Sequence, residues 1–461
     1  MLHDSPDSLR PNSAYPYLVA LVAAVGGFLF GFDLSIVSGA QIFLKNQFQL
    51  RPEELGFASS CAMLGCMLGP VLIVLGLSDW LGRKRVLMIM AFAFGVSAVG
   101  SALPTTIGSF NVFRILGGIA VGVASMLSPM YIAEIAPKRI RGRLVIVNQL
   151  AIVSGSLISA LVAYFLTPDL SGLAAGVCWR WMFASECIPV AILVLGLLFV
   201  PESPRWLVEK RRLGEARNIL ARIAGPANAE QEIAEIESAI AEDSGGWGEL
   251  LRPGIRMAIL VAVVLAMLQQ FTGVSPMLLY VPMVFQSAGF EATSDAIFQS
   301  AVMFGWNLFC TVLALCLVEQ VGRRPLLLVG LSAMGIGLAL FGWCFNTGTQ
   351  GPYLLASMFL AVGAFNFSIA PLAWLIMSEI FPNRLRAKAM AIATFSLWIA
   401  AYINGQTFPM LISAIEKQFG NPAGVYWIYS AVCLFAVLFG WMMVPETKGR
   451  SLEEIGRSWR R

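Results

Sequence analysis

Charge is what this 461-residue chain has least of. Asp, Glu, Lys and Arg make up 13% of it, about half the share of an ordinary soluble domain. A soluble core with a solvated surface is excluded on that ground. Histidine occurs once, at His3 in the opening polar stretch, so no central proton relay runs through imidazole. The eight cysteines lack metal-ligand spacing, and Cys61, Cys66, Cys310, Cys316, Cys344 and Cys433 fall inside apolar runs. There they read as small membrane-compatible fillers. Neither a nucleophile–base set nor a nucleotide-binding loop is present, which argues against an enzyme. No Asn-x-Ser/Thr acceptor falls in a loop expected outside; Asn366-Phe367-Ser368 lies within an apolar run. That favours a bacterial plasma membrane.

What is abundant is apolar surface, with 58% of residues hydrophobic. These fall into about twelve runs of roughly 18 residues or more, each long enough to cross ~30 Å of hydrocarbon. The expected fold class is an all-α membrane protein. The runs begin near Tyr17, Gly56, Val86, Phe110, Leu144 and Trp181, then near Ile255, Ala296, Pro325, Pro352, Ala389 and Val425. The first run is too long, and wrongly flanked, for a cleaved signal peptide. The net charge of +4 says little about partners, because basic residues in such a chain set topology. Arg83, Lys84 and Arg85 follow the second run, and Lys138, Arg139, Arg141 and Arg143 the fourth. Arg323 and Arg324 follow the eighth, and Arg384, Arg386 and Lys388 the tenth. The positive-inside rule therefore puts both termini and the central insertion in the cytoplasm.

The insertion, residues 203–252, alternates charges and apolar residues at helical spacing: Ala216, Ile219, Leu220, Ile223, then Ile233, Ile236, Ile240. Gly225-Pro226 and Gly245-Gly246 divide it into short amphipathic helices. The chain also repeats itself. Asp79-x-x-Gly82-Arg83 recurs as Glu319-x-x-Gly322-Arg323, at an offset of 240 residues. Glu134-x-x-Pro137-x-Arg-x-Arg141 recurs as Glu379-x-x-Pro382-x-Arg-x-Arg386, offset 245, and Pro201-Glu202-Ser as Pro445-Glu446-Thr, offset 244. Two six-helix halves, residues 17–202 and 253–446, follow, with polar tails at 1–16 and 447–461. A parallel repeat of this kind is the pattern of alternating-access carriers, whose substrate sits between the halves.

Within the first half one carboxylate stands out. Asp33 lies mid-run in GGFLFGFDLSIVSG with no basic residue in its own span. A charge at that depth costs roughly 2.5–3.5 kcal/mol on insertion scales, so it marks a water-filled path, unless Asp33 sits near a helix end. Arg114 and Glu186 are the other charges within first-half spans. Arg114 beside Asp33 would keep the acid ionised; loss of that contact, with Glu186 competing for the arginine, would let Asp33 take a proton. The alternative is that Arg114 and Glu186 snorkel to opposite interfaces. The loop charges Arg83, Glu134, Arg141, Arg323, Glu379 and Arg386 are expected to link the halves when the cytoplasmic side is shut, a two-state latch; the alternative is loop charge that sets topology alone.

The second half offers uncharged polarity instead: Gln269-Gln270-Phe271-Thr272-Gly273-Val274-Ser275-Pro276 and Tyr280, then Asn307, Trp374 and Trp398, with Gln149 facing them from the first half. Amides donate and accept together, which suits a ligand covered in hydroxyls, and an indole offers a flat face with one N–H. Gly273 and Pro276 would loosen the seventh helix into a gate. Interhelical hydrogen bonding, worth ~0.6 kcal/mol on average, is the competing explanation.

These motifs resemble the sugar porter family of the major facilitator superfamily, over nearly the whole chain from GGFLFGFD to PETKGRSLEE. RILGGIAVGVASMLSPMYIAEIAPKRIRG, WRWMFASECIPV, PESPRWL, QQFTG and SEIFP are the most specific pieces, and the match is closest to bacterial proton-coupled members. The resemblance implies sugar contacts at Gln149, Gln269, Gln270 and Trp374, an aromatic lining from Phe30, Tyr280 and Trp398, and proton coupling through Asp33, Arg114 and Glu186. Facilitative animal carriers of the family typically lack that aspartate. This chain also departs from the pattern: Ser275 and Ala401 replace usual Asn residues, Ala370 and Ala387 usual Gly residues, and Leu397 and Ser156 stand where a proton-coupled member has Gln. The particular sugar is therefore not carried over. The expectation is proton-coupled symport of a hexose or pentose by a monomer in the bacterial inner membrane. Its partners would be a sugar, protons and lipid, with no nucleic acid and no cofactor beyond the proton gradient. The alternatives are a facilitative sugar or polyol uniporter and, further off, a sugar sensor, which tends to carry a longer tail than the piece after Pro445.

Overall fold

The computed structural model describes residues 14–137, 140–242, 247–290, 292–349 and 351–447. The expected tails lie outside the described residues except for 14–16 and 447, as do Lys138, Arg139 and the Gly245-Gly246 break. Twelve helical spans cross a membrane's thickness: Tyr15–Phe48, Pro52–Val74, Arg83–Ala102, Ile107–Ile135, Arg141–Phe165 and Ala175–Phe199, then Gly254–Phe271, Thr293–Val318, Arg323–Thr347, Pro352–Glu379, Leu385–Phe419 and Ala423–Met443. No strand occurs among the described residues. Each span is rich in apolar residues and must bond its own main chain, as lipid offers no partner.

Lipid tails are as apolar as leucine, so the spans are held by close packing of small residues. In the first half Gly65 and Gly69 of the second span meet Gly118 and Gly122 of the fourth. A Cβ at Gly118 would lie 1.8 Å from the Ala62 carbonyl oxygen. The first span packs on the fifth in the same way, where a Cβ at Gly31 would lie 1.8 Å from the Ile152 carbonyl oxygen. Both contacts bring main chain against main chain, which fixes how deep Asp33 and Arg114 sit.

Three spans are interrupted, each four residues ahead of a proline. The sixth breaks at Ser185-Glu186, before Pro189; the seventh at Thr272-Gly273, before Pro276; the tenth at Phe367-Ser368, before Pro371. Proline lacks the N–H that would bond the carbonyl four residues earlier. At the seventh the chain turns through Gly273 with φ +92°, a conformation that L side chains rarely adopt. Pro70, Pro129 and Pro409 lie inside helices that continue, so the proline needs a permissive neighbour to break the span.

Between the sixth and seventh spans lie three short helices, Pro204–Glu209, Leu213–Ala224 and Pro226–Glu242, and a 3-10 turn, Trp247–Leu251. Their apolar faces form a small core of Trp206, Leu207, Ala216, Leu220 and Ile233. Trp206 Nε1 donates to the Asp79 carbonyl oxygen at 2.8 Å, and the Arg222 guanidinium stacks over Tyr15, 4.3 Å from its centroid. These contacts fasten the linker to the first half.

On the side away from these linker helices the two halves are sealed together. Gln41 Nε2 donates to the Leu279 carbonyl at 3.2 Å, Ser38 Oγ to that of Leu278 at 3.4 Å and Gln406 Nε2 to that of Glu53 at 2.9 Å. The rings of Tyr164 and Phe298 add a contact at 5.1 Å.

Candidate functional site

In the first half the three intramembrane charges come together. Asp33 is 0% exposed and Arg114 1%. Arg114 Nη1 donates to Asp33 Oδ1, and its Nη2 donates to the main-chain oxygen of the same residue at 3.0 Å. The guanidinium also lies over the Phe183 ring, 5.4 Å from its centroid. Glu186, 0% exposed, sits at the break of the sixth span and faces the pair closely enough to feel both charges. Neither of its carboxyl oxygens, nor Asp33 Oδ2, has a hydrogen-bond partner among the described residues. Intramembrane charges pair because an unmatched one is costly. Two carboxyls and one guanidinium are in electrical balance only when one acid carries a proton, which is the chemistry this cluster offers.

In the second half several polar groups stand open where the halves meet. Gln269 Nε2 donates to the Ala370 carbonyl at 2.7 Å, while its Oε1 is buried and unpartnered. Trp398 Nε1 is likewise buried without a partner, and its ring lies 5.8 Å from that of Phe30 across the halves. Gln149, Gln270, Ser275 and Trp374 are half-buried, and no side-chain hydrogen bond ties them down among the described residues. A lone acceptor, a lone donor and free amides are the set a polyhydroxylated ligand would complete. Asn307 is buried, with its Oδ1 accepting from Thr311 Oγ1 at 3.4 Å. Tyr280 departs from expectation. It is 1% exposed, stacks on Phe408 at 5.3 Å, and donates its hydroxyl to the Gly405 carbonyl at 2.9 Å. The joint between Val274–Leu279 and Val281–Ser287 turns it into the packing of the seventh and eleventh spans, so its hydroxyl is not offered to a ligand.

The linker-side charges form two matching clamps, each inside one half. Arg83 pairs with Glu134 at 3.0 Å and with Asp79 at 3.0 Å; Arg323 pairs with Glu379 at 3.0 Å. Arg141 is exposed and Arg386 half-buried, and neither forms an ion pair among the described residues. The ion pairs Arg83–Glu134, Arg83–Asp79 and Arg323–Glu379 each stay within one half in this conformation, which is sealed on the other side. The side chain of Arg384 lies outside the described residues.

Residues not singled out for this role complete each clamp. Glu202 Oε1 accepts from the main-chain N–H groups of Arg83 and Lys84 at 2.9 and 3.0 Å, capping the third span. Ser203 Oγ donates to Glu134 at 2.5 Å. Glu446 caps the ninth span through Arg323 and Arg324 at 3.2 and 3.1 Å, and Thr447 Oγ1 donates to Glu379 at 2.5 Å. A carboxylate at a helix N-terminus is favourable there. Gly82 makes room for this with φ +94°, since a Cβ would lie 2.3 Å from Glu202 Oε2. The repeat of Pro201-Glu202-Ser in Pro445-Glu446-Thr was the signal for the pair.

Twelve spans in two repeated halves, with a buried acid–base cluster in one and open polar groups in the other, define a polytopic membrane transporter. The chain belongs to the sugar transporter family: residues 19–459 match the family model described as Sugar (and other) transporter. It is 40% identical to the D-xylose-proton symporter of Escherichia coli strain K12, over 97% of this chain and 96% of that one. It is 37% identical to the arabinose-proton symporter of Bacillus subtilis strain 168, over 99% of this chain and 100% of that one. The solved structure of the proton:xylose symporter XylE bound to 6-bromo-6-deoxy-D-glucose superposes with a TM-score of 0.82 at 40% identity, covering 97% of this chain and 100% of that one. A partially occluded inward open conformation of XylE from E. coli gives 0.84 at 38% identity, covering 95% and 100%. The fold is therefore that of the major facilitator superfamily, and the family is one of transporters, not enzymes.

Proposed function

We propose that this protein couples entry of a monosaccharide, a hexose or a pentose, to entry of a proton by alternating access. The observation that carries the proposal is the cluster of Asp33, Arg114 and Glu186, where two buried acids share one base. With both acids ionised the cluster carries one negative charge in excess; a proton taken up on Asp33 neutralises it and frees Arg114 to turn toward the ionised Glu186. The sugar binds through Gln149, Gln269, Gln270, Ser275, Asn307, Trp374 and Trp398, with Phe30 closing over it. Relatives named as symporters of xylose, arabinose and galactose with protons support the reading. The basic loops put the linker side in the cytoplasm, so the seal described above is external and this conformation faces inward. In the opposite state Arg141 and Arg386 meet acids of the other half and close the cytoplasmic side. The working unit is a monomer of halves 17–202 and 253–446 in the bacterial inner membrane, with both termini cytoplasmic. The test is sugar-driven proton entry into proteoliposomes. Wild type should show it, and Asp33→Asn should lose it while keeping sugar counterflow. Proton entry that survives in Asp33→Asn overturns the assignment; counterflow without proton entry in wild type makes the protein a uniporter.

A further inference from the structure

The break in the seventh span leaves main-chain groups that a continuous helix would bond, and the Gln270 carbonyl is one of them. The Thr272 N–H shares itself between this carbonyl and that of Leu268, and the Gly273 N–H reaches it only at 3.5 Å, so neither replaces a full helical bond. Asn404 of the eleventh span supplies what is missing: its Nδ2 donates to the Gln270 carbonyl at 2.5 Å. Its Oδ1 accepts from the Tyr429 hydroxyl of the twelfth span at 2.7 Å, so both partners agree on which way the amide points. Asn404 is 3% exposed. The Tyr429 ring fills the notch of the break, where a Cβ on Gly273 would lie 2.2 Å from its Cγ. The broken span is thus braced from two neighbours at the residue that carries the Gln270 amide.

Beside this brace Gln270, Ser275, Ala401 and Asn404 border a chamber of about 20 Å³, which Met63 of the first half also lines. It has room for one water and no sugar. Ser275 and Ala401 are both short, so no side chain from either supports Gln270 on that flank. Its placement then depends on the main-chain anchor.

We propose that Asn404 is a positioning residue for sugar binding, acting through the Gln270 main chain to present the Gln270 amide to the sugar. The inference rests on the reading of Gln270 as a sugar contact. Asn404 itself need not touch the ligand. Losing the anchor lets the break relax, and the Gln270 amide then samples orientations that miss the sugar hydroxyls. Binding weakens while the reorientation of the loaded carrier is left alone.

The experiment measures uptake of radiolabelled D-xylose, L-arabinose and D-galactose by the full chain in proteoliposomes. The variants are Gln270→Ala, Asn404→Ala, Asn404→Asp and Gln270→Ala with Asn404→Ala. Asn404→Ala should raise KM for the transported sugar about 5–10-fold, the size of one lost hydrogen bond, with the rate at saturation within about 2-fold of wild type. Asn404→Asp keeps the acceptor for Tyr429 but sets an oxygen against the Gln270 carbonyl, and should raise KM similarly; it carries the test if the alanine variant fails to insert. With Gln270 already Ala, the Asn404 substitution should add less than about 2-fold, since its effect passes through Gln270. An unchanged KM in both Asn404 variants, or the same increase with and without Gln270, overturns the inference. Gln270→Ala with wild-type KM overturns the sugar-site reading instead.

Discussion

Replacing Arg114 by Met keeps the length of the side chain and removes its charge. Asp33 then loses both the Nη1 bond to its carboxyl and the 3.0 Å bond to its main-chain oxygen, and Glu186 loses the base it faces. Breaking one side of a buried pair costs about 3–5 kcal/mol. Asp33 is left as a buried charge with no partner, which is the larger part of that cost. Adding Asp33→Asn removes the stranded charge and should restore most of the loss. Thermal unfolding of the three detergent-purified proteins measures this. A single variant as stable as wild type, or a double variant no more stable than Arg114→Met, would overturn this reading of the pair.

Two further outcomes are expected. Tyr280→Phe loses the hydroxyl bond to the Gly405 carbonyl and should lower stability by about 1 kcal/mol while leaving the KM for sugar unchanged; a raised KM would return Tyr280 to the binding site. Glu202→Ala strips the cap from the third span and Glu446→Ala that from the ninth. Each should cost about 1–2 kcal/mol, and thermal unfolding of the double variant should show the two losses adding, because the caps sit on different spans in different halves.

The spans were legible because apolar length is a one-dimensional signal. The sixth alone starts well ahead of its expected place, at Ala175 instead of Trp181, since polar turns blur its first residues. Asp33 and Arg114 were legible for an energetic reason: each is too costly in lipid unless matched, and few charges were available to match them. The second half was harder. A tyrosine in an apolar run gives no sign of whether its hydroxyl faces a ligand or a neighbouring carbonyl, and Tyr280 takes the carbonyl. Asn404 looks like any intramembrane amide until the break at Gly273 is in place, because its partner exists only there. The linker-side charges taught a similar lesson. A repeated motif says that Arg83 and Arg323 do the same job. It cannot say whether each pairs within its own half or across, and in this conformation the acids of each half are nearest.

The proposed role of Asp33 as carrier of the proton that drives sugar uptake can be read directly. The measurement is of proteoliposomes loaded with a pH-sensitive dye, in which external sugar is added to wild type and to Asp33→Asn at equal protein density. Internal acidification on sugar addition is expected in wild type and none in Asp33→Asn, with sugar counterflow retained in both. Equal acidification in both proteins would contradict it.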